Sequence, residues 1–104
     1  MINKEIIEEV KNRLVETYNP VAIYVFGLGC LTEESDLELF IIVDKLKDDD
    51  IYEQLRRGHR ALFGLDISKD IIVYTANEFE KRAKNVSTLC YKIKNEGKVI
   101  YARA

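Results

Sequence analysis

Two apolar segments constrain the fold of this chain more than any other feature. Residues 21–26 read VAIYVF, and residues 37–43 read LELFIIV. Runs of β-branched and aromatic residues such as VAIYVF are typical of strands that are buried on both faces of a sheet. The second run alternates acidic and apolar residues only at its beginning, so its acids should lie at one end of the sheet. We therefore predict a strand in each segment.

Residues with helical periodicity lie around these strands. Ile7, Val10 and Leu14 are spaced for an amphipathic first helix, with Asn3 as a candidate N-cap. The helix should end before Pro20, because the residue that precedes a proline is disfavoured in helical backbone. A second helix is expected after the acidic residues 48–50, which would cap it, and should close at Gly64. Its apolar residues are Ile51, Leu55, Leu62 and Phe63.

The last third of the chain repeats this alternation. A third strand is predicted for residues 70–74, DIIVY, and Thr75 and Glu78 have the capping-box spacing that starts a helix. A last helix is expected over residues 87–95, before Gly97, and residues 98–101 form either a short edge strand or a packed tail. Strands that alternate with helices indicate an α/β fold, with helices packed on a small sheet in one domain over residues 1–104.

The composition excludes several classes of protein. Lys and Arg number 16 against 18 Asp and Glu, so the net charge of -2 gives no positive field for nonspecific binding of DNA or RNA. No apolar run approaches the roughly 20 residues that a membrane-spanning helix needs, and the N-terminus has no secretory signal pattern. Cys30 and Cys90 lack metal-site spacing and are expected to be reduced thiols. We therefore expect a cytoplasmic protein without membrane association.

Three carboxylates are the strongest candidates for a functional site. Asp36 and Glu38 are two residues apart at the start of the second strand, so both should point to the same face. Asp70 opens the third strand, and if these strands are neighbours, the three carboxylates converge into a site for a hard cation such as Mg²⁺. The alternatives are an ordinary solvated strand face for the first two acids and Asp66 in place of Asp70.

Four motifs along the chain point to a known family. YVFG occupies residues 24–27, ESDLEL residues 34–39, DIIVYT residues 70–75 and NEGKVIY residues 95–101. In these motifs the chain resembles the minimal nucleotidyltransferase (MNT) domains of the DNA polymerase β superfamily, and among them the stand-alone antitoxin type. The resemblance covers nearly the whole chain. It implies a small mixed β-sheet with helices packed on it.

The resemblance also implies roles for individual residues. Asp36 and Glu38 match the pair that binds two Mg²⁺ ions, and Asp70 matches the third carboxylate, which supports the second ion and the attacking hydroxyl. The residues implied in nucleotide binding are Gly27, Leu28, Gly29 and Ser35. The chain departs from the family pattern here. Leu28 stands where the family has a serine, and no arginine lies between Gly27 and Asp36.

The activity implied by the resemblance is Mg²⁺-dependent transfer of a nucleoside monophosphate, AMP from ATP, to a partner protein. In the antitoxin type this partner is an all-helical HEPN-family toxin. The departures in the glycine turn motivate an alternative function, in which a catalytically degenerate homologue acts as a noncatalytic binding partner or antitoxin. A nucleotide sensor without transfer is a third option, and homo-oligomer formation is left open.

Two other features have simpler explanations. Arg56, Arg57, Arg60 and His59 cluster on the second helix, where a solvated face is expected and a phosphate or an acidic partner is the alternative. Cys30 lies in the glycine turn, and we expect a packing residue there rather than a reactive thiol, because no histidine is near in sequence to activate it.

Overall fold

A computed structural model describes residues 4–26, 37–46, 51–65 and 67–103. The helices and strands within these ranges are α1 (Lys4–Tyr18), β1 (Ala22–Phe26), β2 (Leu37–Val43), α2 (Ile51–Ala61), β3 (Lys69–Thr75), α3 (Ala76–Ala83), α4 (Leu89–Glu96) and β4 (Lys98–Ala102). The predicted elements are confirmed, and β4 is an edge strand rather than a tail. The predicted glycine turn, the caps at Asn3 and residues 48–50, and Asp66 lie outside the described residues.

The strands form a mixed sheet in the order β3-β2-β1-β4. Strand β1 is antiparallel to both β2 and β4, whereas β2 and β3 are parallel. Parallel neighbours require a crossover connection, and α2 lies in the connection between β2 and β3. The expected fold class, a small mixed sheet with helices packed on it, is confirmed.

Successive side chains of β2 point to opposite faces of the sheet, so the interior is divided into two hydrophobic cores. Leu37 and the other odd-numbered residues of β2 pack with α1 and with the end of α2, including Leu14 and Leu62. Phe40 and Ile42 face the other side, where they pack with residues of α3 and α4. All of these side chains are at most 6% exposed, and burying each contributes about 1.5–3 kcal/mol. Helices therefore cover both faces of the sheet, α1 and α2 on one and α3 and α4 on the other.

The end of α2 corrects one prediction. Phe63 was expected on the apolar side of this helix, but the helix ends at Ala61 and the Phe63 side chain is 85% exposed. The guanidinium of Arg13 donates hydrogen bonds to the Ala61 and Phe63 carbonyl oxygens, 3.2 and 3.1 Å away. Gly64 follows with a φ of +91°, the left-handed conformation that glycine adopts at helix ends. The chain thus turns before Phe63 can reach the core.

Threonine side chains cap the two helices on the opposite face of the sheet. The Thr75 hydroxyl accepts a hydrogen bond from the backbone N–H of Glu78, and the Thr88 hydroxyl accepts one from that of Tyr91. The Thr75 contact is the predicted half of a capping box. The Glu78 carboxylate forms an ion pair with Arg82 along α3. A threonine cap of this kind is worth about 1 kcal/mol.

Arg57 corrects the expectation of a fully solvated basic face on α2. Its guanidinium donates hydrogen bonds to the Thr17 carbonyl oxygen and to Oε1 of Gln54, and lies over the Tyr18 ring, 5.5 Å from the ring centroid. The Tyr18 hydroxyl in turn donates to the Gln54 carbonyl oxygen. Arg57 therefore joins α1 to α2 and is a structural residue.

The other members of the basic cluster lie on the surface, as expected. Arg56 and Arg60 both form ion pairs with Glu53, and His59 is exposed. Hydrogen bonds from Arg60 and Arg56 hold the pKa of Glu53 below its usual range. Exposed pairs of this kind contribute little to stability.

Gly58 is a point of close approach between α2 and its neighbours. A Cβ atom at this residue would lie 2.6 Å from the Tyr18 hydroxyl oxygen and 3.1 Å from Cδ1 of Ile71. We expect Gly58→Ala to lower the free energy of unfolding by about 1–3 kcal/mol, although alanine is the better helix former by roughly 1 kcal/mol. Equilibrium unfolding in urea measures this change.

Tyr18→Phe supplies the matched background for that test. It removes the hydroxyl that a Cβ atom at Gly58 would meet, so Gly58→Ala should cost less stability in Tyr18→Phe than in the wild type. A net stabilisation by Gly58→Ala in the wild type would contradict the packing described here.

Candidate functional site

Two of the predicted site residues lie side by side on neighbouring strands. Glu38 is the second residue of β2, Asp70 is the second residue of β3, and the two are partners in the parallel register. Neighbouring strands lie about 4.8 Å apart, and residues in register point to the same face of a sheet. The condition set by the sequence, that these strands be neighbours, is therefore met. We call these two residues the carboxylate pair.

The carboxylate pair lies on the α3 and α4 side of the sheet, at its edge. Glu38 is two residues before Phe40, and Asp70 is two residues before Ile72, and both of these apolar residues pack in the core beneath α3 and α4. Glu38 is half-buried and Asp70 is exposed, so the row of inward-facing side chains changes from apolar to acidic at this edge. The acids therefore stand where the helices no longer cover the sheet.

The carboxylate pair has no cationic partner among the described residues, unlike several other acids on the surface. Glu53, Glu78 and Glu80 each form ion pairs with arginine or lysine, and hydrogen bonding to Arg82 lowers the pKa of Glu78. Neither the Glu38 side chain nor the Asp70 side chain forms a hydrogen bond or an ion pair with any described residue. Like charges directly opposite one another on adjacent strands are destabilising. The pair is thus a cost to the fold unless a cation binds.

The chemistry of the pair fits a hard divalent cation. Carboxylate oxygens are the ligands that Mg²⁺ prefers, and these two are accessible and receive no hydrogen bond from a described residue. Asp36, the remaining acid of the predicted site, lies outside the described residues, as do Gly27, Leu28, Gly29 and Ser35. Within the described ranges no three His, Cys, Asp or Glu side chains group together for a metal. The three-carboxylate site and the nucleotide-binding turn stay predictions.

Phe26 and Lys92 extend the row and were missed by the sequence reasoning. Phe26, the last residue of β1, is the cross-strand partner of Glu38 on the side away from Asp70. The Nζ atom of Lys92, on α4, lies 4.9 Å from the centroid of the Phe26 ring. A lysine among several on a helix surface gives no signal of such a position. The motif YVFG marked Phe26 only as part of a buried strand.

A shallow cleft runs along the outer side of α4. It has a volume of about 640 Å³, and its lining includes Ser87, Tyr91, Lys92 and Asn95. Because Lys92 also contacts Phe26, it belongs both to this cleft and to the edge that carries the carboxylate pair.

The cysteine of α4 belongs to the core. Cys90 is free and 1% exposed, in keeping with the expected reduced thiol. Burial, together with a hydrogen bond to the Cys90 thiol, raises the pKa of the neighbouring Tyr74 to about 12. Tyr74 therefore stays uncharged at neutral pH. Cys30 lies outside the described residues.

Comparison with known proteins supports the fold. No protein-family model matches the chain, and no curated protein does. Among solved structures, the chain is similar to a candidate nucleotidyltransferase from Sulfolobus solfataricus, with a TM-score of 0.62 and 16% sequence identity, over 95% of this chain and 82% of that one. The chain therefore has a nucleotidyltransferase-like fold. No helix in the described part of the chain is long and apolar enough to cross a membrane.

Repulsion within the carboxylate pair makes a prediction about stability. Glu38→Gln removes one of two facing charges, so without divalent metal it should raise the free energy of unfolding by about 0.2–1 kcal/mol. Added Mg²⁺ should raise the melting temperature of the wild type and leave that of Glu38→Gln nearly unchanged. Thermal unfolding with and without MgCl₂ measures both effects.

Glu80→Gln is the matched control for charge removal. Glu80 is exposed and forms an ion pair with Lys94 at 2.7 Å, so its neutralisation should be neutral or slightly destabilising. If Glu38→Gln behaved in the same way, Glu38 would have a cationic partner in the protein and the proposed repulsion would be wrong.

Proposed function

We propose that this protein is a nucleotidyltransferase of the minimal type, which transfers AMP from ATP to a hydroxyl group of a partner protein. The observation that carries the proposal is the in-register placement of Glu38 and Asp70 without a cationic partner among the described residues. The nucleotidyltransferase-like fold supports the same class. The all-helical HEPN-type partner, the antitoxin role and the cytoplasmic location belong to this proposal through the sequence resemblance.

In this proposal each carboxylate has a distinct task. Glu38, with Asp36, would hold the metal ions, and Asp70 would hold the second ion and accept the proton of the acceptor hydroxyl. Bound Mg²⁺ neutralises phosphate charge and stabilises the leaving pyrophosphate. The exposure of Asp70 and the half-burial of Glu38 suit this division, because the proton acceptor must reach a second molecule.

The reaction balances without a further reactant. The acceptor oxygen forms a bond to the α-phosphorus of ATP, the bond from that phosphorus to the bridging oxygen of pyrophosphate breaks, and the hydroxyl proton passes to Asp70. The products are an AMP ester of the partner and pyrophosphate. The acceptor hydroxyl belongs to the partner protein that the sequence resemblance implies.

The position of the isotope label in ATP distinguishes nucleotidyl transfer from phosphoryl transfer. With cell extract as the source of acceptor, ATP labelled at the α-phosphate should label a protein, and ATP labelled at the γ-phosphate should not. Glu38→Gln and Asp70→Asn should each reduce labelling roughly a hundredfold or more, because loss of even an outer-shell partner of a metal costs 10–100-fold. Glu80→Gln should label as the wild type does.

Two outcomes would contradict the proposal. Labelling from the γ-phosphate would indicate phosphoryl transfer. Absence of any Glu38-dependent labelling, together with no calorimetric binding of ATP in Mg²⁺ at millimolar concentration, would favour the noncatalytic binding partner that the departures at Leu28 motivate.

A further inference from the structure

We propose that Lys92 binds the phosphate chain of a nucleoside triphosphate that is held at the carboxylate pair. This inference rests on the proposed function and assigns a binding residue to it. Lys92 is on α4, distant in sequence from both members of the carboxylate pair. Its assignment comes from where the ammonium lies and from what surrounds it.

The ammonium group of Lys92 lies on the same face of the sheet as the carboxylate pair. Phe26, Glu38 and Asp70 are successive partners across three strands and point to the same face of the sheet. The Lys92 Nζ atom lies 4.9 Å from the Phe26 ring centroid, on that face. The ammonium therefore lies on the same face as Glu38, beside the ring of the residue that is paired with Glu38 across the strands. Across this edge of the sheet, the Lys92 ammonium and the Phe26 ring are followed by the side chains of Glu38 and Asp70.

Lys92 has no carboxylate partner among the described residues. On the same two helices, Arg82 is paired with Glu78 and Lys94 with Glu80. Lys92 forms no ion pair with a described residue, and its ammonium is held over an aromatic face instead. A cation–π contact fixes the position of an ammonium while leaving its N–H donors available. The Lys92 ammonium is therefore held in position, and no carboxylate of a described residue pairs with its charge.

One class of ligand suits both Lys92 and the carboxylate pair. The carboxylate pair attracts a metal cation, and Lys92 attracts an anion. A polyphosphate satisfies both, because some of its oxygens bind the metal while others accept hydrogen bonds from the ammonium. Lysine is a common phosphate ligand that acts as a point charge.

The cleft beside Lys92 gives such a ligand room to extend. Its volume of about 640 Å³ falls within the range of small-molecule sites, and Lys92 is part of its lining. A triphosphate that passes Lys92 can therefore place the rest of the nucleotide against α4.

The substitution Lys92→Met separates the loss of binding from the loss of packing. Lys92→Met keeps an apolar stem over the Phe26 ring and removes the charge. Lys94→Met is the matched control, since it removes the same charge from the same helix at a residue paired with Glu80. Both residues are exposed, so both variants should melt close to the wild type.

Calorimetric titrations use two probes, MgATP and metal-free inorganic triphosphate. Lys92→Met should weaken the binding of each about tenfold or more, because hydrogen bonds to charged groups are the strong ones, whereas Lys94→Met should bind as the wild type does. Equal binding of MgATP by wild type and Lys92→Met would overturn the role of Lys92 and leave the proposed function intact.

Titration with metal-free inorganic triphosphate distinguishes the anion site at Lys92 from the proposed function. Lys92-dependent binding of inorganic triphosphate without any binding of MgATP would support the anion site and count against the proposed function. If the wild type binds neither probe, both proposals are wrong.

Discussion

The parallel pairing of β2 with β3 is the interaction on which the rest of this structure depends. It requires the crossover that carries α2 to one face of the sheet. It also fixes the register, so that Glu38 faces Asp70 while the apolar residues that follow enter the two cores. A shift by one residue would move the acids into one core and expose the apolar side chains. The burial that stabilises the sheet therefore also holds two like charges together at its edge.

The treatment of charge supports a functional interpretation of that edge. Several acids elsewhere on the surface are paired within or between helices, as at Glu53 and Glu80. The carboxylate pair has no such partner among the described residues, and Lys92, a cation on its face of the sheet, lies over Phe26 instead. Unfavourable electrostatics that the fold does not relieve are typical of binding sites, where a ligand supplies the missing charge.

The sequence predicted the elements well, because each carries its own local signal. The apolar runs give β1 and β2, and the capping-box spacing of Thr75 and Glu78 gives the start of α3. It could not predict what depends on the tertiary arrangement. The motifs placed acids on two strands, but only the strand order places Glu38 beside Asp70. Likewise, Arg57 looked like part of a solvated charge run until its contact with Tyr18 was seen, and Phe63 continued a helical pattern that the backbone leaves at Ala61.

The central claim is that the carboxylate pair binds a divalent cation, and paramagnetic broadening by Mn²⁺ tests it most directly. Mn²⁺ accepts the same oxygen ligands as Mg²⁺ and broadens the amide resonances of nearby residues. At substoichiometric Mn²⁺, broadening should centre on Glu38 and Asp70 and reach Phe26 and Ile71, and excess Mg²⁺ should reverse it. Broadening centred instead on the acidic face of α1, where Glu5, Glu8 and Glu9 line a surface groove, would contradict the account.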